Sequence, residues 1–218
     1  MKKNSWRIAS GLILIALFVL WTALVVCVDV RAIGPEGSSV GFAAANGAFH
    51  ALTGVHMGLY TLTDWLGIVP FVFVFGFAVL GLVQLIKRRS LLKVDRSLLA
   101  LGVFYILVAI VYVFFEFVVV NRRPVLIEGV LEPSYPSSTT MLVLCVIPTA
   151  MMQLAGRIKS VPARAAVLII LGAFTVFMVV GRLVSGVHWL TDIIGGILIS
   201  AGLVALYAGA AAPTGKHE

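Results

Sequence analysis

Arg182, His188 and Asp192 fall within one short stretch of a chain that is otherwise mostly hydrocarbon. A helix starting near Val187 sets His188 and Asp192 four residues apart on one face. A carboxylate placed there accepts the Nδ1 proton of the imidazole and leaves Nε2 free as a nucleophile or base. Arg182 precedes a flexible Ser185-Gly186 turn and can fold back over the same spot. Earlier in the chain stand Arg123-Pro124 and the run Pro136-Ser137-Ser138-Thr139-Thr140. In that run a proline and hydroxyl residues open an apolar segment, so the backbone N–H groups of a helix N-terminus make an anion site. Two forked guanidiniums, an exposed helix end and an oriented imidazole together suit a phosphate group.

These residues need a scaffold, and the composition says which kind. The 218 residues are 61% hydrophobic and only 11% charged, with a mean hydropathy of +1.11, whereas soluble domains carry about 25% charged residues. The chain therefore reads as an integral membrane protein, and a charged cluster inside such a protein is a functional hypothesis by default. The net charge of +7 comes from short basic blocks between apolar runs. Those blocks are topology signals, and no nucleic-acid-binding module is visible. Cys27 and Cys145 lie in apolar segments without metal-ligand spacing, so neither disulfide nor zinc chemistry is expected.

Six apolar runs approach the roughly 20 residues that a bilayer requires: 8–28, 64–86, 98–120, 138–155, 165–182 and 189–210. The first exceeds a signal-peptide core of roughly 7–15 residues and is read as a retained span. Residues 32–63 are too polar and broken for a span. They predict an outer loop with an interfacial helix near 39–52, whose Val40, Phe42, Phe49 and Leu52 would rest on the bilayer surface. The fold class expected is all-α: a polytopic six-transmembrane-helix bundle forming one domain over 1–218. Small residues of the last run, including Gly195 and Gly196, suggest close helix packing. Lys2, Lys3, Arg7, the basic block from Lys87 to Arg96, Arg157, Lys159, Arg164 and Lys216 fall on one side, against Arg31, Arg122, Arg123 and Arg182 on the other. This bias places both termini in the cytoplasm and the polar loops 121–137 and 182–192 together on the outer face of the cell membrane.

Arg123-Pro124, Pro136-Ser137-Ser138-Thr139 and Arg182-x5-His188-x3-Asp192 resemble the three-part signature of the type 2 phosphatidic acid phosphatase superfamily of membrane lipid phosphatases. The resemblance spans about residues 116–196. It implies that His188 is the nucleophile and forms a phosphohistidine, that Asp192 orients it, and that Arg123 and Arg182 hold the phosphate without metal or cofactor. Ser137, Ser138 and Thr139 are the accompanying phosphate-binding candidates, equally suited to capping the fourth span.

Two positions depart from the family pattern. Glu116 stands where the first motif usually has lysine, with Arg122 as a candidate substitute and an ion pair to Arg122 or Arg123 as a role for Glu116 itself. Ser138-Thr139 stand where the second motif usually reads Gly-His, and that histidine is the family's general acid. A positioned acid contributes about 10²–10⁴-fold, and a phosphate leaving group, as from a lipid pyrophosphate, needs it least. An isoprenyl pyrophosphate such as undecaprenyl pyrophosphate is therefore the expected substrate. His56, ahead of His50, is an accessory candidate for the missing acid, while Glu128 and Glu132 read as solvated charges. A non-catalytic lipid-phosphate binder, transport or scaffold protein, or a phosphotransferase, is the alternative. The only partner deducible is the lipid phosphate itself.

Overall fold

The computed structural model describes residues 2–211; Lys216, used above for orientation, lies outside them. Its described residues form eight α-helices: α1 (Lys2–Cys27), α2 (Ala43–Thr53), α3 (Met57–Leu66), α4 (Ile68–Arg88), α5 (Arg96–Phe117), α6 (Ser138–Arg157), α7 (Val161–Val184) and α8 (Leu190–Ala210). They include no strand, only isolated bridges in loops. Six helical stretches are long and apolar enough to cross a membrane. The chain is thus an all-helical, multi-pass membrane protein, as its composition predicts.

The second of these stretches runs from Met57 to Arg88, through α3 and α4. Residues 57–63, expected as loop, are helical. Their hydroxyls disguise a helix because they bond inward, as when Thr63 Oγ1 donates to the carbonyl of Leu59 at 2.9 Å. A helix is present in this stretch as α2, shorter than expected. Val40 is fully buried and Phe42 stacks on Trp21 at 5.2 Å, so of the apolar residues assigned to the bilayer surface these two belong to the interior. Leu52 is exposed.

α6 and α8 are the most enclosed spans, and the others expose most of their apolar surface as lipid-facing helices do. α1 lies antiparallel to α8: Arg7 reaches the Ala208 carbonyl at one end, and Trp21 Nε1 donates to the Thr191 carbonyl at the other. Leu101, Phe104 and Val108 of α5, spaced as one helical face, join Met141 and Cys145 of α6 and Ile199, Leu203 and Tyr207 of α8 in the main core. α7 packs on the opposite side of α6 through Leu171 and Met178 against Val143 and Ile147. Lipid tails are as apolar as these side chains, so close packing and hydrogen bonds hold the helices together. Ser200 Oγ bonds the Gly196 carbonyl at 2.7 Å and the Met141 carbonyl of α6 at 3.2 Å. A Cβ on Gly195 would come within 2.7 Å of the Tyr135 ring, which accounts for glycine there.

At one end of the bundle Asp95 ties three helices together, accepting from Gln84 Nε2 at 2.8 Å and pairing with Arg88 and Arg157. At the other end, α4 and α5 line a cavity, and the loop residues of all three motifs converge on it.

Candidate active site

The 121–137 loop doubles back on itself. Arg123 N donates to the Glu132 carbonyl at 3.0 Å and Ser134 N to the Asn121 carbonyl at 2.9 Å, with Ile127 and Val130 bridged at the turn. This fold turns Arg123 inward. The α7–α8 connection is anchored from another direction: His56 N donates to the Ser185 carbonyl at 2.9 Å. Gly186 has φ +70°, and a Cβ on it would meet the Gly54 carbonyl oxygen at 1.9 Å. Only glycine permits both this left-handed backbone and this approach.

His188 precedes α8 rather than lying in its first turn, because the helix begins at Leu190 with Trp189 as its N-cap. The capping carboxylate is Asp192, whose Oδ2 accepts from Trp189 N at 2.9 Å. Its Oδ1 accepts from Asn121 Nδ2 at 3.0 Å. His188 Nδ1 stands 3.8 Å from Oδ2. The pair is therefore juxtaposed, as the spacing implies, but at more than hydrogen-bond distance. Beneath it, Asn46 of α2 bonds both Thr191 Oγ1 at 2.9 Å and Thr191 N at 3.2 Å. Asn46, Asn121, Thr191 and Asp192 are all buried.

On the other ring nitrogen, Arg123 Nη1 and Arg182 Nη2 each lie 3.3 Å from His188 Nε2. Guanidinium N–H groups only donate, so Nε2 accepts and carries its lone pair. Burial first, then Arg123 and Arg182, holds the His188 imidazole well below its ordinary pKa of 6.5, against an upward pull from the Ser134 backbone. The ring is neutral at pH 7.

Each guanidinium has a carboxylate companion that the sequence does not announce. Arg123 Nε is 2.9 Å from Glu132 Oε2, and Arg182 Nη1 is 3.6 Å from Asp64 Oδ1. Tyr60 lies against both, 4.8 Å from Arg182 and 5.8 Å from Arg123, ring centroid to guanidinium carbon. Arg182 is 1% exposed, yet its Nε and Nη1 make no hydrogen bond among the described residues. Buried donors left free in this way are costly unless a ligand takes them.

His188, Arg123, Arg182, Glu116, Ser138 and Thr139 line one cavity of about 620 Å³. Glu132, expected in solvent, lines it as well, as do Tyr60, from the segment expected as loop, and Asp64, from the first residue of the second apolar run. Four expectations need correction. Ser137 is fully buried and outside the cavity lining; its N–H donates to the Asp192 carbonyl at 3.1 Å. Arg122 points away and donates to the Leu131 carbonyl at 2.9 Å, so it does not replace the missing lysine. Glu116 pairs with neither arginine; Tyr112, one helical turn before it, is its neighbour. His56 Nε2 contacts the Thr53 carbonyl at 2.9 Å and lies outside the lining, as does His50, which packs on Trp189 at 5.5 Å.

Fold and site together define a polytopic helical membrane protein with a buried, arginine-flanked histidine at one end of the bundle. The chain belongs to the PAP2 superfamily, whose family model matches residues 97–212. Among solved structures it resembles the crystal structure of a transmembrane PAP2 type phosphatidylglycerolphosphate phosphatase from Bacillus subtilis. The two are 21% identical, with a TM-score of 0.54, over 91% of this chain and 93% of that one. None of the curated proteins matches this chain. Membership and fold support a lipid phosphatase in general terms.

Proposed function

We propose that this protein hydrolyses a lipid phosphate or pyrophosphate through a phosphohistidine at His188. The convergence of Arg123 and Arg182 on the unprotonated Nε2 of a buried, neutral imidazole carries the reading. A phosphoryl group held by both guanidiniums sits against that lone pair. Nε2 attacks phosphorus, the P–N bond forms as the bond to the leaving oxygen breaks, and water then releases phosphate and restores the imidazole. The arginines supply the charge stabilisation that a metal gives elsewhere. Asp192 faces the imidazolium character that develops at Nδ1, and the α6 N-terminus with Ser138 and Thr139 faces the phosphate oxygens.

The lipid class rests on the cavity walls. Ile68 and Phe71 of α4, Phe115 of α5 and Leu142 of α6 give the cavity an apolar wall, and Ile68 and Phe71 are exposed, as a route for a lipid tail requires. With Thr139 in place of the usual acid, a lipid pyrophosphate such as undecaprenyl pyrophosphate is the first substrate to test. The basic bias of the loops supports a cell-membrane location with cytoplasmic termini and the site on the outer face.

The test is phosphate release from a panel of lipid phosphates and pyrophosphates by wild type and His188→Ala, with and without vanadate and in the presence of a chelator. Vanadate-sensitive release by wild type and none by His188→Ala is expected. Binding without release would leave a lipid-phosphate binder, and release surviving His188→Ala would remove the nucleophile. Orientation is read by labelling Leu52→Cys in a Cys27→Ser background, with modification by an impermeant reagent expected only from outside.

A further inference from the structure

The cavity holds several proton-bearing groups, and their surroundings separate them. Asp64 and Glu132 are already engaged as the ion-pair partners of Arg182 and Arg123. Tyr135 turns its hydroxyl away, 2.7 Å from Thr22 Oγ1 on α1. Tyr112 directs its hydroxyl to Glu116 on its own helix and Glu116 accepts from it, so each is engaged by the other. Ser138 and Thr139 carry alcohols, which are no more acidic than the alcohol that an alkoxide leaving group becomes. Tyr60 remains. Its ring lies against the same two guanidiniums that contact His188 Nε2, its hydroxyl has Arg182 as a neighbour, and it lines the cavity. A phosphoryl group seated between the arginines and Nε2 has Tyr60 beside it.

We propose that Tyr60 is the general acid that protonates the leaving oxygen, in the place left by the absent second-motif histidine. The inference rests on the phosphatase reading above. As the P–N bond to His188 forms, the electron pair of the breaking P–O bond goes to the leaving oxygen, which takes the phenolic proton of Tyr60. The tyrosinate left behind faces Arg123 and Arg182, whose charge stabilises it. In the second step a water oxygen bonds phosphorus, its proton passes to the tyrosinate, and the P–N electron pair returns to Nε2. No metal or further co-reactant is required. A free phenol, ionising near about 10, is a weaker acid than an imidazolium near about 6.5. Leaving groups of low basicity therefore remain favoured, and alkoxides depend on Tyr60 most.

Tyr60→Phe keeps the ring over the guanidiniums and removes only the hydroxyl. With purified protein in detergent, three substrates grade the leaving group: phosphatidic acid, a lipid pyrophosphate and p-nitrophenyl phosphate. Tyr60→Phe is expected to lose about 10²-fold in kcat on phosphatidic acid and to change little on the other two. Inorganic phosphate, measured as a competitive inhibitor, is expected to bind both proteins alike, which also reports that the variant is folded. Equal losses on all three substrates, no loss on any, or weakened phosphate binding would overturn the assignment. Failure of the phosphatase reading is visible separately, as absence of turnover by wild type on every substrate.

Discussion

His188 Nδ1 stands 3.8 Å from Asp192 Oδ2, while that carboxylate accepts its hydrogen bonds from Trp189 N and Asn121 Nδ2. Asp192 thus serves first as the cap of α8 and the anchor of the 121–137 loop. On the proposed mechanism it would act on the imidazole through its charge, across a gap that an imidazolium N–H would close.

Asp192→Asn tests that division of labour. The amide oxygen can still cap α8, but the charge facing Nδ1 is gone. Phosphoenzyme formation is expected to slow by about 10²-fold or more, the scale of a lost acid–base partner. The unfolding temperature is expected to move little. A variant that unfolds early yet phosphorylates at the wild-type rate once folded would make Asp192 a structural residue.

Asn121→Leu removes the donor to Asp192 Oδ1. An unsatisfied buried carboxylate oxygen costs about 1–3 kcal/mol or more, so thermal unfolding is expected to come earlier. Asn46→Leu, which strips two bonds from Thr191, is expected to act in the same direction. Because the two asparagines share Thr191, the double variant is expected to lose less than the sum, as coupled sites do.

The pH dependence follows from His188. Burial and the two arginines depress its folded pKa well below 6.5, the value near which an unfolded histidine titrates. Between those two values the unfolded chain binds a proton that the folded chain does not, so stability rises with pH. The contribution is complete above about 6.5 and is lost as pH falls toward the folded value. Melting at pH 5.5 and 7.5 is expected to differ less in His188→Asn than in wild type. For the same reason the acid limb of kcat/KM is expected well below 6.5.

Gly186→Ala places a Cβ 1.9 Å from the Gly54 carbonyl oxygen at a φ of +70°. The connection between α7 and α8 has to shift away from the α2–α3 connection. Loss of phosphate binding together with a lower melting temperature is expected, whereas Gly172→Ala, which meets nothing within 4 Å, is expected to be silent in both.

The sequence made the helices legible because a membrane span advertises itself by length and hydropathy, and the His188–Asp192 spacing survives even though the helix starts later than expected. Residues 57–63 were misread because Tyr60, Thr61 and Thr63 lower the local hydropathy, although a helix can turn such groups onto its own backbone or into a cavity. A loop expected over 57–63 conceals Tyr60, and Asp64, at the head of the apolar run 64–86, reads there as a boundary charge. Glu132 was hidden for another reason: a loop charge looks solvated until the loop doubles back and brings it to Arg123. Arg122 and Arg123 are indistinguishable in sequence, and only the ladder between 121–123 and 132–134 decides which of them faces inward.

The carboxylates of Asp64 and Glu132 give Arg182 and Arg123 counter-ions of their own. On the phosphatase reading, a substrate phosphate arriving at these arginines would not meet bare cations in hydrocarbon; it would displace ligands already present, which return when phosphate departs. Binding is then an ion exchange, in which part of the attraction is cancelled at both ends of the cycle. Such a site is suited to letting inorganic phosphate go, where an uncompensated pair of buried guanidiniums would hold it.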